Sequence, residues 1–342
     1  MFNLENLVRQ NIWDLKPYSS ARDEFTGKEG IFLDANENPF GILNRYPDPH
    51  QRELKSKLSE IKSVKPDNIF IGNGSDEVID LTFRIFCNPS KDKAITFSPT
   101  YGMYSVSANI NDVEMIEIPL DENFQIETKL LTDFLKNENI KLIFLCSPNN
   151  PTANLFRKSD ILFILKNFNG IVFIDEAYND FSGEKSWMYE VEKYPNLIVS
   201  QTFSKAFGLA AARVGIAYSN REIIKLFNKV KPPYNVSELN QKAAINALNN
   251  LEEFEIQKKL ILNEKKNLIK AFKKIRLIKK IFPSDANFIL VEVTNANGIY
   301  NQLVEQKIIT RNRHSIVNNC IRITVGTPNE NQKLIQALQK IT

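Results

Sequence analysis

The sequence predicts an α/β protein, a mostly parallel sheet with a smaller α+β domain, on three observations. Short apolar runs alternate with helical patterns through the middle of the chain. Each run ends in a polar or glycine-rich cluster. After Pro232-Pro233 the pattern changes to a long helical stretch with isolated strands.

The first strand is read at Asn68-Ile-Phe-Ile71, followed by a glycine turn and a helix from Ser75. Lys93 to Phe97 leads into Pro99-Thr-Tyr-Gly-Met-Tyr104 and another helix. Lys141 to Cys146 ends in Ser147-Pro-Asn-Asn-Pro-Thr152, Gly170 to Ile174 ends at Asp175, and Leu197 to Ser200 runs toward Lys205. In an open α/β sheet ligands sit at the C-terminal edge of the strands, so these distant clusters should converge on one crevice. Beyond Pro233, Lys242 to Lys274 reads as one long helix, Asn287 to Val293 and Ile321 to Val325 as strands, and a last helix starts near Glu330. The expected division is a large domain over 31–235 and a small one over 236–342, with residues 1–30 packing on the small domain.

Composition agrees with an ordinary soluble globular protein, long enough for one large core and a smaller second domain: 342 residues, 43% hydrophobic, 25% charged, net charge +4. Basic residues over 55–65 and 258–280 alternate with apolar ones, as on solvated helices, so a nucleic-acid surface is not expected. Cys87, Cys146 and Cys320 are far apart and odd in number, which suits buried free thiols in a reducing compartment. No apolar run reaches the roughly 20 residues of a membrane span, and the start Met1-Phe-Asn-Leu-Glu-Asn lacks the basic character of a signal peptide; the expected location is cytoplasmic, away from any membrane. With only His50 and His314, a histidine metal site or a Ser-His-Asp triad has almost no material, and no metal is expected. The glycines form neither a Walker loop nor a complete GxGxxG.

The chemistry is carried by Lys205 in Thr202-Phe-Ser-Lys-Ala-Phe-Gly-Leu209, with Arg213 eight positions on and Asp175 closing an earlier apolar run. A lysine, an arginine and hydroxyls after one buried strand, with a carboxylate at the end of another, are what a protein needs to hold pyridoxal 5'-phosphate. The lysine takes the aldehyde, the arginine grips the phosphate and the aspartate keeps the pyridine nitrogen protonated. An exposed helix lysine competes with this reading, but Phe203, Ala206 and Phe207 give Lys205 apolar neighbours that lower an amine's pKa. Asp175 can equally be a strand end before a helix cap; after four apolar residues, however, a carboxylate needs a cationic partner. Thr202, Ser204 and Arg213 can serve a phosphate together.

Gly72-Asn-Gly74-Ser75-Asp76 has the form of a strand, tight turn and helix start, where free amides bind anions; it is also a good helix cap. Its acidic first turn sits beside that phosphate only if Asp76 and Glu77 turn away or bond elsewhere. Tyr101 can stack on a flat ring or simply fill the core, and Asn150 can donate to a cofactor hydroxyl or punctuate a turn. Tyr178 can reach the same hydroxyl or pack. Arg322, between Ile321 and Ile323, wants an anion, which a structural ion pair would also supply.

In this order, the pieces resemble the fold-type I pyridoxal-phosphate aminotransferases, and within them the histidinol-phosphate branch. The likeness runs through Lys16-Pro-Tyr18, Leu33-Asp-Ala-Asn-Glu-Asn-Pro-Phe-Gly41, Arg45-Tyr-Pro-Asp-Pro49, Gly72-Asn-Gly-Ser-Asp-Glu77, Pro99-Thr-Tyr-Gly-Met-Tyr104 and Ser147-Pro-Asn-Asn-Pro-Thr152. It continues in Asp175-Glu-Ala-Tyr178, Thr202 to Leu209, Pro233-Tyr-Asn-Val236, Ala286-Asn-Phe288 and Cys320-Ile-Arg-Ile-Thr-Val-Gly-Thr327.

The resemblance implies a mostly parallel seven-stranded sheet, with Lys205 as both cofactor lysine and proton-moving base. It pairs Asp175 with the pyridine nitrogen, sets Asn150 and Tyr178 on the 3-hydroxyl and Tyr101 on the ring. Gly74, Ser75, Asp76, Thr202, Ser204 and Arg213 surround the cofactor phosphate, with Tyr46 arriving from a second subunit of a homodimer with shared sites. Tyr18, Asn287, Arg311 and Arg322 face the substrate. The implied reaction is reversible amino transfer between L-histidinol phosphate and 2-oxoglutarate, with an aromatic or broad-specificity amino-acid aminotransferase as the alternative. Ala153 and Ala211 stand where that family usually has glycine; a left-handed backbone at either would cost about 1 kcal/mol.

Overall fold

The computed structural model describes residues 2–18 and 30–341. Seven strands form the large sheet: β1 (Ile69–Asn73), β2 (Lys93–Ser98), β3 (Glu114–Pro119), β4 (Ile140–Cys146), β5 (Ile171–Asp175), β6 (Leu197–Thr202) and β7 (Val214–Tyr218), in the order β1-β7-β6-β5-β4-β2-β3. β7 pairs antiparallel with both β1 and β6, and the remaining pairs are parallel. The mostly parallel α/β expectation therefore holds.

Strand alternation builds two cores from one sheet. Ile69, Ile71, Ile143, Leu145, Val172 and Ile174 point to one face, while Phe70, Leu142, Phe144, Ile171 and Phe173 point to the other. The first face is covered by α2 (Arg52–Lys62), α5 (Lys158–Asn167) and α7 (Glu238–Asn249). The second is covered by α3 (Ser75–Phe86), α4 (Met103–Ile110) and α6 (Arg221–Val230). Helix α6 starts where the Asn220 side chain accepts from the amides of Glu222 and Ile223, and it buries Ile223, Ile224, Leu226 and Phe227. Phe70, Phe144 and Phe173 are wholly buried, each worth roughly 1.5–3 kcal/mol.

The smaller domain has a four-stranded antiparallel sheet, β8 (Ile278–Ile281), β9 (Phe288–Val293), β10 (Arg311–Asn312) and β11 (Cys320–Thr324), ordered β10-β11-β9-β8. Its core includes residues of α8 (Leu251–Phe272), α9 (Ala296–Glu305) and α10 (Pro328–Lys340). α10 opens with Pro328 in its first turn and a capping box between Thr327 and Glu330.

Three expectations need correction. The stretch read as one helix is two, α7 and α8, broken at Asn250, whose side chain turns back to the Asn246 carbonyl at 2.7 Å. Val236, Ala244 and Leu248 pack in the large domain's core, so the change of domain falls at this break and not at residue 236. The N-terminal segment packs on the large domain, not the small one: Phe2, Leu4, Leu7, Val8 and Ile12, the last in the short helix α1 (Gln10–Trp13), join the core under α3 and α6, and the Arg9 amide donates to the Ile85 carbonyl at 3.0 Å. The rest of the expected N-terminal unit, residues 19–29, lies outside the described residues. Two strands of the large sheet, β3 and β7, were not among those read from the sequence. The three cysteines are buried and free.

Candidate active site

Because β1, β2, β4, β5 and β6 run in one direction, their C-terminal ends lie along one edge; Cys146 of β4, Asp175 of β5 and Ser200 of β6 are register neighbours there. A cavity of about 430 Å³ opens at this edge. Ser75, Asp76, Tyr101, Asn150, Asp175 and Tyr178 line it together with Thr202, Ser204, Lys205 and Arg213; Arg311 and Arg322 reach it from the small domain.

Asp175 is 3% exposed. It accepts a hydrogen bond from the Tyr104 hydroxyl at 2.7 Å and another from the Ala177 amide at 3.0 Å. Burial nevertheless pushes its carboxyl above the usual range, a sign of two donors where full solvation is missing. A protonated ring nitrogen would supply the opposite charge. Tyr104 is itself wholly buried and stacks on Phe144 at 5.0 Å.

Lys205 stands in the open cavity, its Nζ 5.7 Å from the centre of the Tyr178 ring. Its amine is lowered first by desolvation and then by the Arg322 charge. The loop that carries it is held by the Ser204 amide donating to Thr202 Oγ1 at 3.1 Å and by Phe207 stacking on Phe254 of α8 at 4.3 Å. Tyr178 packs edge-on to Phe288 at 5.0 Å, so both domains support the same wall.

The turn that leads into α3 is built from backbone. Gly74 precedes α3 at φ 77° and ψ 166°, a region essentially reserved for glycine; its own amide is taken up by the Gly72 carbonyl at 2.9 Å, so of the two amides expected to serve a phosphate this turn offers that of Ser75, in the first turn of α3. A Cβ on Gly74 would come within 2.5 Å of Arg213 Nη2, and one on Gly215 within 2.3 Å of the Ser75 nitrogen. The acidic first turn is accommodated by pairing. Asp76 accepts from Arg213 at 3.1 Å and from the Tyr101 hydroxyl at 3.2 Å, and Glu77 accepts from Asn235 at 2.8 Å. Of the two alanines, Ala153 takes a left-handed backbone, φ 70°, and Ala211 lies in the 3-10 turn Ala210–Ala212.

On the small-domain side Arg322 donates to the Asn150 side-chain oxygen and lies over the Phe288 ring at 5.2 Å, while its Nε is buried with no acceptor among the described residues. Arg311 faces Arg322 across the β10–β11 pair. An orphaned guanidinium nitrogen, an amide cradle that no Cβ could share and a buried carboxylate form a donor set that fits a phosphate-bearing, protonated pyridine together with an anionic substrate.

Three sequence candidates lie elsewhere. Tyr46 stacks on Tyr234 at 4.4 Å in a separate cleft and is 49% exposed. Tyr18 is 72% exposed, and the Asn287 carbonyl is occupied by the Val325 amide at 2.9 Å; neither lines the cavity. Two residues escaped the sequence reading. Tyr104 is bonded to a partner 71 positions away, which no local pattern reveals. Arg313 lines the cavity, and the two-residue strand spacing from Arg311 is the signal that could have found it.

The aminotransferase class I and II profile matches residues 28–338. The histidinol-phosphate aminotransferase of Christiangramia forsetii is 52% identical over 347 aligned residues, covering 99% of this chain and 98% of its own. The solved histidinol-phosphate aminotransferase of Clostridium acetobutylicum has a TM-score of 0.80 at 26% identity, over 90% of this chain and 97% of its own. That of Sinorhizobium meliloti, solved in complex with pyridoxal-5'-phosphate, has a TM-score of 0.79 at 24% identity, over 86% and 82%. With a lysine, a buried aspartate and a glycine-bounded helix start meeting at one sheet edge, and with similarity along almost the whole chain, this protein belongs to the aminotransferase class I and II family.

Proposed function

We infer that the chain catalyses reversible amino transfer between L-histidinol phosphate and 2-oxoglutarate, giving imidazole-acetol phosphate and glutamate, a step of L-histidine biosynthesis, with pyridoxal 5'-phosphate as cofactor. The observation that carries the substrate is the facing pair Arg311 and Arg322 at the end of the Lys205 cavity. Similarity to enzymes of that name along the full chain supports it.

When bound, pyridoxal phosphate supplies an electron sink for the pair released at the substrate carbon. The remaining work falls to this chain. Arg213, Thr202, Ser204 and the Ser75 amide would hold the cofactor phosphate, without the Gly74 amide, which donates to the Gly72 carbonyl; Asp76 keeps Arg213 at the cradle. Asp175, its charge supported by Tyr104 and the Ala177 amide, holds the proton on the ring nitrogen. Asn150 and Tyr178 would contact the ring hydroxyl, and Tyr101 would lie against the ring; all three line the cavity. Lys205 Nζ would hold the cofactor and would serve as the base that moves a proton at the substrate carbon. An amine lowered by burial and by Arg322 is free of its own proton at a lower pH than an ordinary lysine, as a base must be.

The site is shared in a homodimer, with Tyr46 reaching the partner's cofactor phosphate. Supporting this, Tyr46 lies away from its own chain's cavity, and the segment before it exposes Ile31, Leu33, Phe40 and Ile42 at 91%, 88%, 82% and 97%. Borohydride reduction of the cofactor-loaded protein followed by peptide mapping tests the assignment of the lysine. The cofactor should be found on Lys205, and Lys205→Ala should lose both trapping and turnover; label on another lysine would refute the site.

A further inference from the structure

A third guanidinium enters the arginine end of the cavity. Arg313 follows Arg311 by two positions and lines the same space, while Asn312 between them turns away to donate to Asn297 at 2.7 Å. Its backbone is pinned: the Arg313 amide donates to the Cys320 carbonyl at 2.9 Å, and its own carbonyl accepts from Ile316 and Val317 at 2.9 and 2.7 Å. The guanidinium is thus presented from a rigid turn. Its Nε, like that of Arg322, is buried and without an acceptor among the described residues.

The charge balance is unusual. Asn150, a neutral group, accepts from Arg322, and no carboxylate pairs with any of the three arginines among the described residues. Burial, and then the charges of Arg322 and Arg311, push Arg313 down to about 10. Three cations that repel one another in a partly desolvated pocket need a multiply charged anion to become favourable. A carboxylate brings one negative charge, whereas a phosphate monoester brings close to two above its second pKa of about 6.

We propose that Arg313 is a specificity-determining residue, the cation that turns this end of the cavity into a dianion site and so favours a phosphate-bearing amino donor over a carboxylate-bearing one. The proposal rests on the histidinol-phosphate reading and adds to it a residue and a charge requirement. In Arg313→Gln, the KM for histidinol phosphate should rise about 10- to 100-fold, the effect of losing one charge-assisted contact, with kcat much less changed. Glutamate should lose far less, so the ratio of the two specificity constants falls at least about tenfold.

A pH series separates contact from mere support. Wild-type affinity for histidinol phosphate should strengthen as the substrate phosphate loses its second proton near pH 6; Arg313→Gln should flatten this dependence, and Arg313→Lys should restore much of it. Equal losses for both donors, or an unchanged pH dependence in Arg313→Gln, would overturn the proposal. A wild-type enzyme that ignores histidinol phosphate would refute the underlying substrate reading, which the first arm detects before any variant is compared.

Discussion

Tyr104→Phe isolates one interaction that the active-site account needs. The ring is wholly buried between Phe144, stacked at 5.0 Å, and Tyr101, edge-on at 5.6 Å, so phenylalanine should fill the same space without a cavity. What disappears is the 2.7 Å hydrogen bond to Asp175. Hydrogen bonds to charged groups contribute about 1.5–3 kcal/mol, and here nothing replaces the donor, because Asp175 is 3% exposed. Its carboxyl, already raised by burial, should rise further and hold the ring proton less firmly. At about 1.4 kcal/mol per decade, that range corresponds to a loss of roughly 10- to 150-fold, divided between cofactor affinity and turnover. Titrating the cofactor-free variant with pyridoxal phosphate and measuring kcat at saturation gives both parts. A variant within twofold of wild type on both would show that Tyr104 contributes packing only, and the role given to Asp175's donors would be wrong.

Gly74→Ala places a methyl group 2.5 Å from Arg213 and forces alanine into a glycine-only backbone region, so cofactor affinity should fall by at least about tenfold while the fold survives; an unchanged titration would contradict the phosphate cradle. Glu176 is buried, and desolvation raises its carboxyl to about 7 from 4.5, so the native state holds this proton more tightly than the unfolded chain does. The stability from that proton is fully present below about pH 4.5 and is lost as pH rises through 7, a change of up to about 3 kcal/mol. Urea unfolding of cofactor-free Glu176→Gln should show a flatter pH dependence than wild type across this window; parallel curves would refute it. For the shared site, mixing Tyr46→Phe with Lys205→Ala under conditions of subunit exchange should regenerate wild-type sites, and activity no greater than that of Tyr46→Phe alone would mean that each subunit is self-sufficient.

The residues that could be found in the sequence are those that end buried strands. Asp175, Asn150 and Lys205 follow runs too apolar to be anything but core, and parallel pairing brings their ends to one edge. Gly74 and Ser75 were equally visible, because a turn between strand and helix demands glycine. Tyr104 was hidden: its hydroxyl matters only through a carboxylate on another strand. Leu4, Leu7 and Val8 are plainly apolar but carry no address, and hydrophobic burial is non-directional, so nothing local said which domain they would cover. The break at Asn250 was missed because helical periodicity continues on both sides while the buried face changes partner, from the large-domain core at Leu248 to the small-domain core at Leu268. β7, Val-Gly-Ile-Ala-Tyr, is as long as β1 and β5 but its apolar run is interrupted by Gly215 and Ala217, and it is the single strand that runs against the rest of its sheet.

The central claim is the substrate, and the cofactor machinery alone does not encode it. The most direct measurement is the specificity constant for L-histidinol phosphate beside those for L-phenylalanine and L-tyrosine, each with 2-oxoglutarate as acceptor, in wild type and in Arg322→Ala. Histidinol phosphate should be the preferred donor, and the substitution should cost it about 2–4 kcal/mol, well beyond the loss for the uncharged aromatic donors. Equal specificity constants across the three donors, or equal losses in the variant, would contradict the account and leave an aminotransferase for aromatic or varied amino acids.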